Sequence, residues 1–414
     1  MSVDADAELR IDAARLWHSV MDLARIGATP LGGVRRITLT DLDRQGRDRV
    51  VEWFCAAGLE ARVDSIGNIF GRRAGRDPSR PPVVAGSHID TQPSGGKFDG
   101  SYGVLAGLEV VRTLNDRGVH TDAPIEVAVW TNEEGSRFTP VMMGSGVFAG
   151  AFTLQHALAR TDVDGNSVGD ELARIGYAGS APLGTPVGAY FEAHIEQGPI
   201  LEETHNTIGI VTGALGQRWF DVTVTGMNAH AGPTPMPLRR DALLAASRIV
   251  GEVNRIALGE APHGRGTVGF VQVSPNSRNV VPGEVKFSVD FRHPDDAGLT
   301  SMEEKLRAAG GRVQGECNVE VHVEEVVYFP PCRFDAECVC AVRAGAQASG
   351  YSAIEIVSGA GHDAVYVARV APTAMIFVPC REGISHNELE DAKPEHLAAG
   401  CNVLLHAMLS RAGV

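Results

Sequence analysis

Residues 81–103, PPVVAGSHIDTQPSGGKFDGSYG, join a short apolar run to a helical pattern through a glycine-rich loop. The apolar run predicts a buried strand that His88 and Asp90 close, and Asp99 is expected to open the helix that follows. Because alternate strand residues share a face, Asp90 is placed to accept a hydrogen bond from one imidazole nitrogen of His88 while the other nitrogen binds a metal ion. The glycines let the backbone fold closely around such a site.

Polar side chains also follow other predicted strands. The strand Ile125–Trp130 leads into Glu133 and Glu134, and the apolar run around FEAHIEQG contains His194. The strand near APTAMIFVP is followed by a loop that carries His386. A lone histidine at a strand end is usually a hydrogen-bonded structural residue, and an aspartate at a helix start is usually a cap. Several such residues at strand ends of one α/β domain favour a functional site, because ligands bind at those ends.

The collected residue types suit two metal ions that share one carboxylate. Asp99 would bridge the two ions, and the full set is His88, Asp99, Glu133, Glu134, His194 and His386. Imidazole and carboxylate ligands are compatible with zinc, manganese, cobalt or nickel, so the set does not identify the metal. Neighbouring glutamates in an extended segment point in different directions, so one can bind metal while the other acts as a general base. The pattern therefore predicts a two-metal hydrolytic site.

The composition excludes several classes of protein. The chain has 414 residues, 44% of them hydrophobic and 21% charged, which is ordinary for a globular protein. A formal net charge of -14 without a basic stripe argues against nucleic acid as a partner. The acidic start predicts a helix from Asp4 to Ala28 rather than a signal peptide, and no apolar run reaches the roughly 18 residues of a membrane span. We therefore expect a cytoplasmic protein, and its seven cysteines lack any Cys-x-x-Cys pair.

The periodicity changes near residue 211, which indicates a second domain. From about residue 214 to 329 the pattern reads β-α-β-β-α-β, the order of a ferredoxin-like split unit. Strand and helix alternation then resumes to the end of the chain. The predicted fold class is α/β: a catalytic domain of residues 1–213 and 330–414 with a mixed sheet flanked by helices, and an inserted α+β domain of residues 214–329.

Eight motifs resemble one known family of enzymes. They are GSHIDTQPSGGKFDGSYGVLAGLE, WTNEEGSRFTPVMMGSGVFAG, FEAHIEQGPILE, TGMNAHAGPTPM, SRNVVPG, FSVDFRH, SGAGHDA and ISHNELE. In this order they resemble the binuclear-metal amidases of the hydantoinase/carbamoylase group, within the aminoacylase-like metallopeptidase superfamily. That group includes N-carbamoyl-L-amino-acid hydrolases, bacterial β-ureidopropionases and allantoate amidohydrolases. The resemblance implies a di-metal aminopeptidase-like catalytic domain, an inserted lid and dimerisation domain, and hydrolysis of a carbamoyl or ureido C–N bond.

The resemblance also implies a role for each matching residue. His88, Asp99 and His194 would hold one divalent ion, and Asp99, Glu134 and His386 the other. Glu133 would be the general base, Asp90 would orient His88, and His230 would donate a hydrogen bond to the oxyanion. The implied substrate-binding residues are Gln197, His230, Asn279, Arg292, Gly359, Ala360 and Gly361. Arg292 fits bidentate capture of a carboxylate, so the expected substrate is a small ureido molecule with a carboxylate, bound by a homodimer that pairs through the inserted domain.

Three alternatives to an N-carbamoyl-L-amino-acid hydrolase remain open. An allantoate amidohydrolase or a β-ureidopropionase would act on the same ureido and carboxylate groups. A protein that binds metal or dimerises without catalysis is a second alternative, against which Glu133 beside a full ligand set argues. The third alternative is a dinucleotide-binding site at Gly144, Gly146 and Gly150. The spacing of these glycines differs from the usual fingerprint, which argues against this alternative.

Overall fold

The computed structural model describes residues 9–414, so the first residues of the helix predicted from Asp4 lie outside the described part. Within that part the helix begins at Ala13, where the Asp12 side chain accepts a hydrogen bond from the Arg15 backbone N–H at 2.9 Å. The helix ends at Leu23, and turns follow it. No helix between residues 9 and 414 is both long enough and apolar enough to cross a membrane.

The chain divides into two compact units. One extends to Gly213 and includes Arg333–Val414, and the other is Ala214–Cys332. Up to the end of the first segment the elements are α1 (Ala13–Leu23), α2 (Asp41–Ala56), β1 (Glu60–Val63), β2 (Ile69–Arg73), β3 (Val83–His88), α3 (Ser101–Asp116), β4 (Ile125–Trp130), α4 (Met143–Phe148), α5 (Leu154–Leu158), α6 (Val168–Ile175), β5 (Ala189–Ile195), α7 (Ile200–Glu203) and β6 (Ile208–Ala214).

The elements of the second unit follow directly. They are β7 (Gly216–Thr225), β8 (Ala229–His230), a 3-10 turn (Met236–Leu238), α8 (Ala242–Gly259), β9 (Arg265–Thr267), β10 (Val271–Ser274), β11 (Val280–Val281), β12 (Glu284–His293), α9 (Asp296–Cys317) and β13 (Glu320–Phe329). The chain then completes the first unit with β14 (Cys332–Arg333), α10 (Ala336–Ala348), β15 (Ala353–Ser358), α11 (Asp363–Val367), β16 (Thr373–Val378), a 3-10 turn (Arg381–Gly383) and α12 (Pro394–Ala412).

The first unit is built on a nine-stranded mixed sheet. Its strand order is β1-β2-β4-β3-β5-β16-β6-β14, and β15 pairs with β6. The central strands β4, β3, β5 and β16 are parallel, whereas β1, β2 and β6 add antiparallel pairs. The predicted mixed sheet flanked by helices is therefore confirmed.

Burial of the central strands positions the site. Every residue of β3, β4, β5 and β16 is buried, so both faces of the sheet are covered at its centre. Helices α3 and α12 pack on β3 and β5, and α11 packs on β5 and β16. Because the four strands run in the same direction, their carboxyl ends meet at one edge, where backbone leaving the sheet can present side chains to a ligand.

The second unit is a separate antiparallel sheet with its own core. Its strand order is β10-β12-β7-β13, with β9 beside β12, and α8 and α9 pack on it. Phe220, Val222 and Val224 alternate with exposed or half-buried residues along β7, so a single face of this strand enters the core. The short strands β8 and β11 form a separate pair that places His230 opposite Val280. The lid and dimerisation roles expected of this unit stay predictions.

Candidate active site

Five expected metal ligands converge at the carboxyl edge of the central sheet. His88 is the last residue of β3, and His194 is the penultimate residue of β5. Glu134 follows β4 by four residues, Asp99 lies in the loop between β3 and α3, and His386 lies in the loop after β16. Two groups of three bring one ligand atom per residue within 4.8 Å of one another: His88, Asp99 and His194, and Asp99, Glu134 and His386.

Asp99 belongs to both groups and turns one carboxylate oxygen to each. Its Oδ1 lies 3.1 Å from Nε2 of His194 and 3.7 Å from Nε2 of His88. Its Oδ2 lies 3.4 Å from Nε2 of His386, and that nitrogen is also 3.4 Å from Glu134 Oε2. This is the arrangement that a carboxylate bridging two ions requires. Burial would raise the pKa of Asp99, but hydrogen bonding to the three imidazoles holds that pKa well below its usual range.

Backbone carbonyls fix the orientation of the two buried imidazoles. Nδ1 of His88 lies 2.9 Å from the carbonyl oxygen of Asp90, and Nδ1 of His194 lies 2.9 Å from the carbonyl oxygen of Ile195. Because a carbonyl only accepts, each Nδ1 carries a hydrogen, and Nε2 is the ring nitrogen that faces Asp99 and could bind a metal ion. Both rings are therefore oriented as metal ligands.

The carboxylate of Asp90 has a different partner from the one expected. It was expected to bind the His88 ring, but its Oδ1 is 3.8 Å from Nδ1, beyond hydrogen-bond distance. It accepts instead from the backbone N–H groups of Glu133 and Glu134, at 3.3 and 3.4 Å. The reason is that β3 ends at His88, so Asp90 is outside the strand and presents its carbonyl to the ring. Asp90 thus links the His88 segment to the two glutamates.

The two adjacent glutamates are held differently. Gln92 donates its backbone N–H to Glu134 Oε1 at 3.1 Å and its side-chain amide to Oε2 at 2.7 Å. The Glu133 carboxylate has no hydrogen-bonding side-chain partner among the described residues, and its Oε2 lies 3.5 Å from Nε2 of His88. Burial, with Asp363 and other acids nearby, raises the pKa of Glu133 well above its usual range. Burial and the charge of Asp99 raise the pKa of Glu134 to about 7.

The donor set fits divalent cations. Asp99, Glu133 and Glu134 are at most 8% exposed, yet no lysine or arginine in residues 9–414 forms a salt bridge with any of them. Buried carboxylates need a compensating positive charge. Two groups that combine carboxylate oxygens with imidazole Nε2 atoms supply the ligand chemistry of such cations.

A third group of ligand-type residues lies beside the first. Glu192, His194 and His362 also bring ligand atoms within 4.8 Å of one another. Both oxygens of Glu192 are already used, because the Ser87 hydroxyl donates to Oε1 at 2.7 Å and the Tyr190 hydroxyl donates to Oε2 at 3.2 Å. The ring of His362 packs on that of His194 with centroids 4.6 Å apart. This group shares His194 with the first group and packs against it.

Three residues at or beside the candidate ligands have left-handed backbone conformations. Asn132, Gln197 and His386 all have positive φ values, 55°, 58° and 53°, which residues other than glycine adopt rarely. Asn132 precedes Glu133, and Gln197 follows the strand that bears His194. Residues held in this region of backbone conformation cluster at functional sites, where the surrounding structure compensates for the strain.

Gln197, which is expected to bind substrate, is hydrogen bonded to Asp99, one of the candidate metal ligands. Its amide nitrogen donates to Asp99 Oδ2 at 3.0 Å and to the Ser385 hydroxyl at 3.1 Å. Its amide oxygen is buried and has no hydrogen-bond partner among residues 9–414. An unsatisfied buried acceptor costs free energy, and a ligand N–H group would relieve that cost.

The other expected substrate residues occupy three places. In the first unit, Gly359, Ala360 and Gly361 form a turn in which the Ala360 N–H donates to the Ser358 hydroxyl at 3.1 Å. In the second unit, the Ala231 N–H donates to the Asn279 carbonyl at 2.9 Å, which joins the segment of His230 to that of Asn279. Arg292, also in the second unit, donates from Nη2 to Asp290 Oδ2 at 2.9 Å. Their roles toward a substrate stay predictions.

Comparison with known proteins identifies one family. A model of peptidase family M20/M25/M40 matches residues 84–410. An N-carbamoyl-L-amino-acid amidohydrolase from Rhizobium meliloti is 50% identical over 406 residues, which is 98% of both chains. An allantoate amidohydrolase from Bacillus subtilis is 36% identical and covers 92% of this chain and 93% of its own. A crystal structure of a hydantoinase/carbamoylase family amidase from Burkholderia multivorans superimposes with a TM-score of 0.95 at 61% identity, covering 98% of both chains.

Proposed function

The chain belongs to peptidase family M20/M25/M40, within its hydantoinase/carbamoylase group, and we propose that it hydrolyses N-carbamoyl-L-amino acids. The reaction cleaves the carbamoyl C–N bond and yields the free amino acid, ammonia and carbon dioxide. The observation that carries the proposal is the placement of Asp99, with one carboxylate oxygen toward each of two ligand groups and Glu133 beside them. Relatives named N-carbamoyl-L-amino-acid amidohydrolases reach 50% identity, whereas the allantoate amidohydrolase relative is 36% identical, which favours the carbamoyl substrate.

We infer that two divalent ions occupy the two ligand groups. His88, Asp99 and His194 would hold one ion, and Asp99, Glu134 and His386 the other. Bound there, the ions would supply Lewis-acid polarisation of the substrate carbonyl and would lower the pKa of a water molecule. Zinc, manganese, cobalt and nickel all suit this ligand set, so the metal is to be chosen by assay.

Glu133 is the residue that moves protons in the proposed reaction. It takes a proton from the attacking water and returns that proton to the nitrogen that leaves the carbamoyl carbon. Among the described residues no side chain donates a hydrogen bond to its buried carboxylate, and burial raises its pKa above the usual value, which makes it a stronger base than an exposed glutamate. Glu134 is unsuited to this task because Gln92 already binds both of its oxygens.

The proposed substrate is a small ureido molecule that carries a carboxylate. The buried, unpartnered amide oxygen of Gln197 would accept an N–H of the ureido group. Arg292 would bind the carboxylate through two N–H groups, and Asp290 already orients its guanidinium. His230, Asn279 and the Gly359–Gly361 turn complete the set of proposed contacts, with His230 donating to the oxyanion.

We further propose that the protein is a homodimer that pairs through its second unit, as the family resemblance implies. Strands β10 and β13 end the strand order of that sheet, and edge strands carry backbone groups available for pairing. Sedimentation equilibrium tests this proposal, and a monomer at all concentrations would contradict it.

Ammonia release tests the proposed reaction. Chelated protein is refilled separately with zinc and manganese and offered N-carbamoyl-L-amino acids, N-carbamoyl-β-alanine and allantoate. We expect metal-dependent release from the N-carbamoyl-L-amino acids. Release from allantoate alone would replace the proposal with the allantoate activity, and release from N-carbamoyl-β-alanine alone would indicate a β-ureidopropionase. No release from any substrate by the refilled protein would refute hydrolysis of this substrate class.

A further inference from the structure

Glu390 is a buried carboxylate that links the two loops carrying Asp99 and His386. It is 2% exposed, and its Oε1 accepts the backbone N–H groups of Phe98 and Asp99 at 2.9 and 3.1 Å. Its Oε2 accepts the hydroxyl hydrogen of Ser385 at 2.9 Å. Asp99 and Glu390 are 291 residues apart in sequence, so this carboxylate is a long-range connection between two segments that have no regular secondary structure there.

The neighbouring residue Gly96 leaves space for the buried Glu390 side chain. A Cβ at Gly96 would collide with the Glu390 carboxyl group, so only glycine leaves room for the side chain. No lysine or arginine among residues 9–414 forms a salt bridge with Glu390, and N–H and O–H donors alone satisfy it. A buried acid without a cationic partner is costly to retain, which favours a specific task over general stabilisation.

The Ser385 hydroxyl connects Glu390 to one carboxylate oxygen of Asp99. The Ser385 hydroxyl that meets Glu390 also lies 3.2 Å from Asp99 Oδ2, the oxygen that faces His386. Ser385 itself is the neighbour of His386 in sequence. Glu390 therefore acts on two members of the Asp99, Glu134 and His386 group, whereas Asp99 Oδ1, which faces His88 and His194, receives no contact from Ser385 or Glu390.

We propose that Glu390 is a positioning residue that holds the His386 loop and Asp99 Oδ2 in place for the second of the two metal ions. This inference rests on the two-ion centre of the proposed function and names the residue that supports one half of it. Loss of the carboxylate frees the Ser385–His386 segment and weakens binding of the second ion more than that of the first. Partners that orient metal ligands typically contribute about 10- to 100-fold to metal affinity.

Titration of the chelated full-length protein with Co²⁺, followed by its visible absorption, measures the two affinities without any substrate. Wild type is expected to bind two ions. Glu390→Ala should weaken the second ion about 10- to 100-fold and the first ion less, because Asp99 belongs to both groups whereas His386 belongs to the second alone. Glu390→Gln should stay close to wild type, because its amide oxygen can still accept the two N–H groups while its nitrogen donates to Ser385. Ser385→Ala, which keeps the carboxylate, should also weaken mainly the second ion.

A buried glutamate elsewhere in the first unit provides the matched control. Glu109 is fully buried and accepts hydrogen bonds from Arg15 and from the Asp12 backbone, away from the ligand loops. Glu109→Ala should lower the free energy of unfolding and leave both Co²⁺ affinities unchanged.

Three outcomes would overturn the inference while leaving the two-ion centre standing. They are unchanged affinities in Glu390→Ala, an equal loss of both ions, and a loss in Glu390→Gln as large as that in Glu390→Ala. Binding of fewer than two ions by wild type would refute the two-ion centre and this inference together. Absence of substrate turnover would refute the proposed reaction alone, since the titration contains no substrate.

Discussion

Replacing Gly100 by alanine should strongly reduce activity while the protein still folds. It caps the start of α3 with a φ of 62°, and a Cβ built there would lie against Cδ2, Cε1 and Nε2 of His88. Such a contact is far shorter than the 3.4 Å at which ordinary van der Waals contact begins, so the ring must recede by about 1 Å in Gly100→Ala. The ring cannot recede freely, because Nδ1 is hydrogen bonded to the Asp90 carbonyl.

Two effects add in Gly100→Ala. With φ 62° and ψ -51°, Gly100 adopts a γ-turn conformation that is rare and strained for a residue with a Cβ, so alanine there should cost about 1–3 kcal/mol of stability. Displacement of His88 Nε2 by about 1 Å should in addition reduce kcat/KM about 100-fold, which corresponds to about 2.7 kcal/mol of transition-state stabilisation. Metal affinity should fall with it, since His88 is an expected ligand.

Gly118 is the matched control, at the other end of the same helix. Its φ is 61°, and a Cβ there would have no neighbour within 4 Å. Gly118→Ala should therefore lose about 1–2 kcal/mol in urea unfolding and keep wild-type metal binding and turnover. Both variants are compared by urea unfolding, by zinc content and by ammonia release. The reasoning is refuted if Gly100→Ala retains wild-type turnover, or if Gly118→Ala loses as much turnover as Gly100→Ala.

Further predictions concern the base, the ligand partners and the thiols. Glu133→Gln should keep both metal ions and reduce kcat about 10²- to 10⁴-fold, and a parallel loss of metal would contradict its role as base. Gln92→Leu should lower zinc affinity about tenfold in a competition assay by releasing Glu134, and unchanged affinity would show that this contact is unimportant. Zinc at about 100 times the dissociation constant of a site should raise the free energy of unfolding of chelated protein by about 2.7 kcal/mol for each ion bound, measured in urea, and equal stability would argue against a folded-state site. Burial raises the pKa of the Cys338 thiol to about 12, so iodoacetamide at pH 8 should modify the exposed Cys55 and Cys340 and spare Cys338, with mass spectrometry as the readout; modification of Cys338 at the same rate would contradict its burial.

Strand periodicity explains why the sequence alone indicates that these candidate residues lie at one edge of the sheet. Apolar runs that end in His88 or lead into Glu133 show where buried strands leave the sheet, and parallel strands bring those points to one edge. Family resemblance then divides the expected ligands between two ions; the same residues form two groups in the structure, and their division between two ions stays a prediction. The assignment of Glu133 as base stays a prediction that the geometry supports.

Contacts made through loops could not be predicted from periodicity. The expected bond from Asp90 to His88 uses the carbonyl rather than the carboxylate, because the strand ends two residues earlier. Gln92 and Glu390 lie in irregular segments whose path depends on tertiary packing, so nothing local indicates that they hold Glu134 and Asp99. The only sequence signal for Glu390 was its position four residues after His386 in ISHNELE.

The central claim, that Asp99 bridges two ions, is tested most directly by anomalous diffraction from crystals of the zinc-loaded protein. Data collected above the zinc absorption edge should show two peaks in each chain, one at His88, Asp99 and His194 and one at Asp99, Glu134 and His386. A single peak, or a peak at Glu192 and His362 in place of the second ion, would contradict the claim.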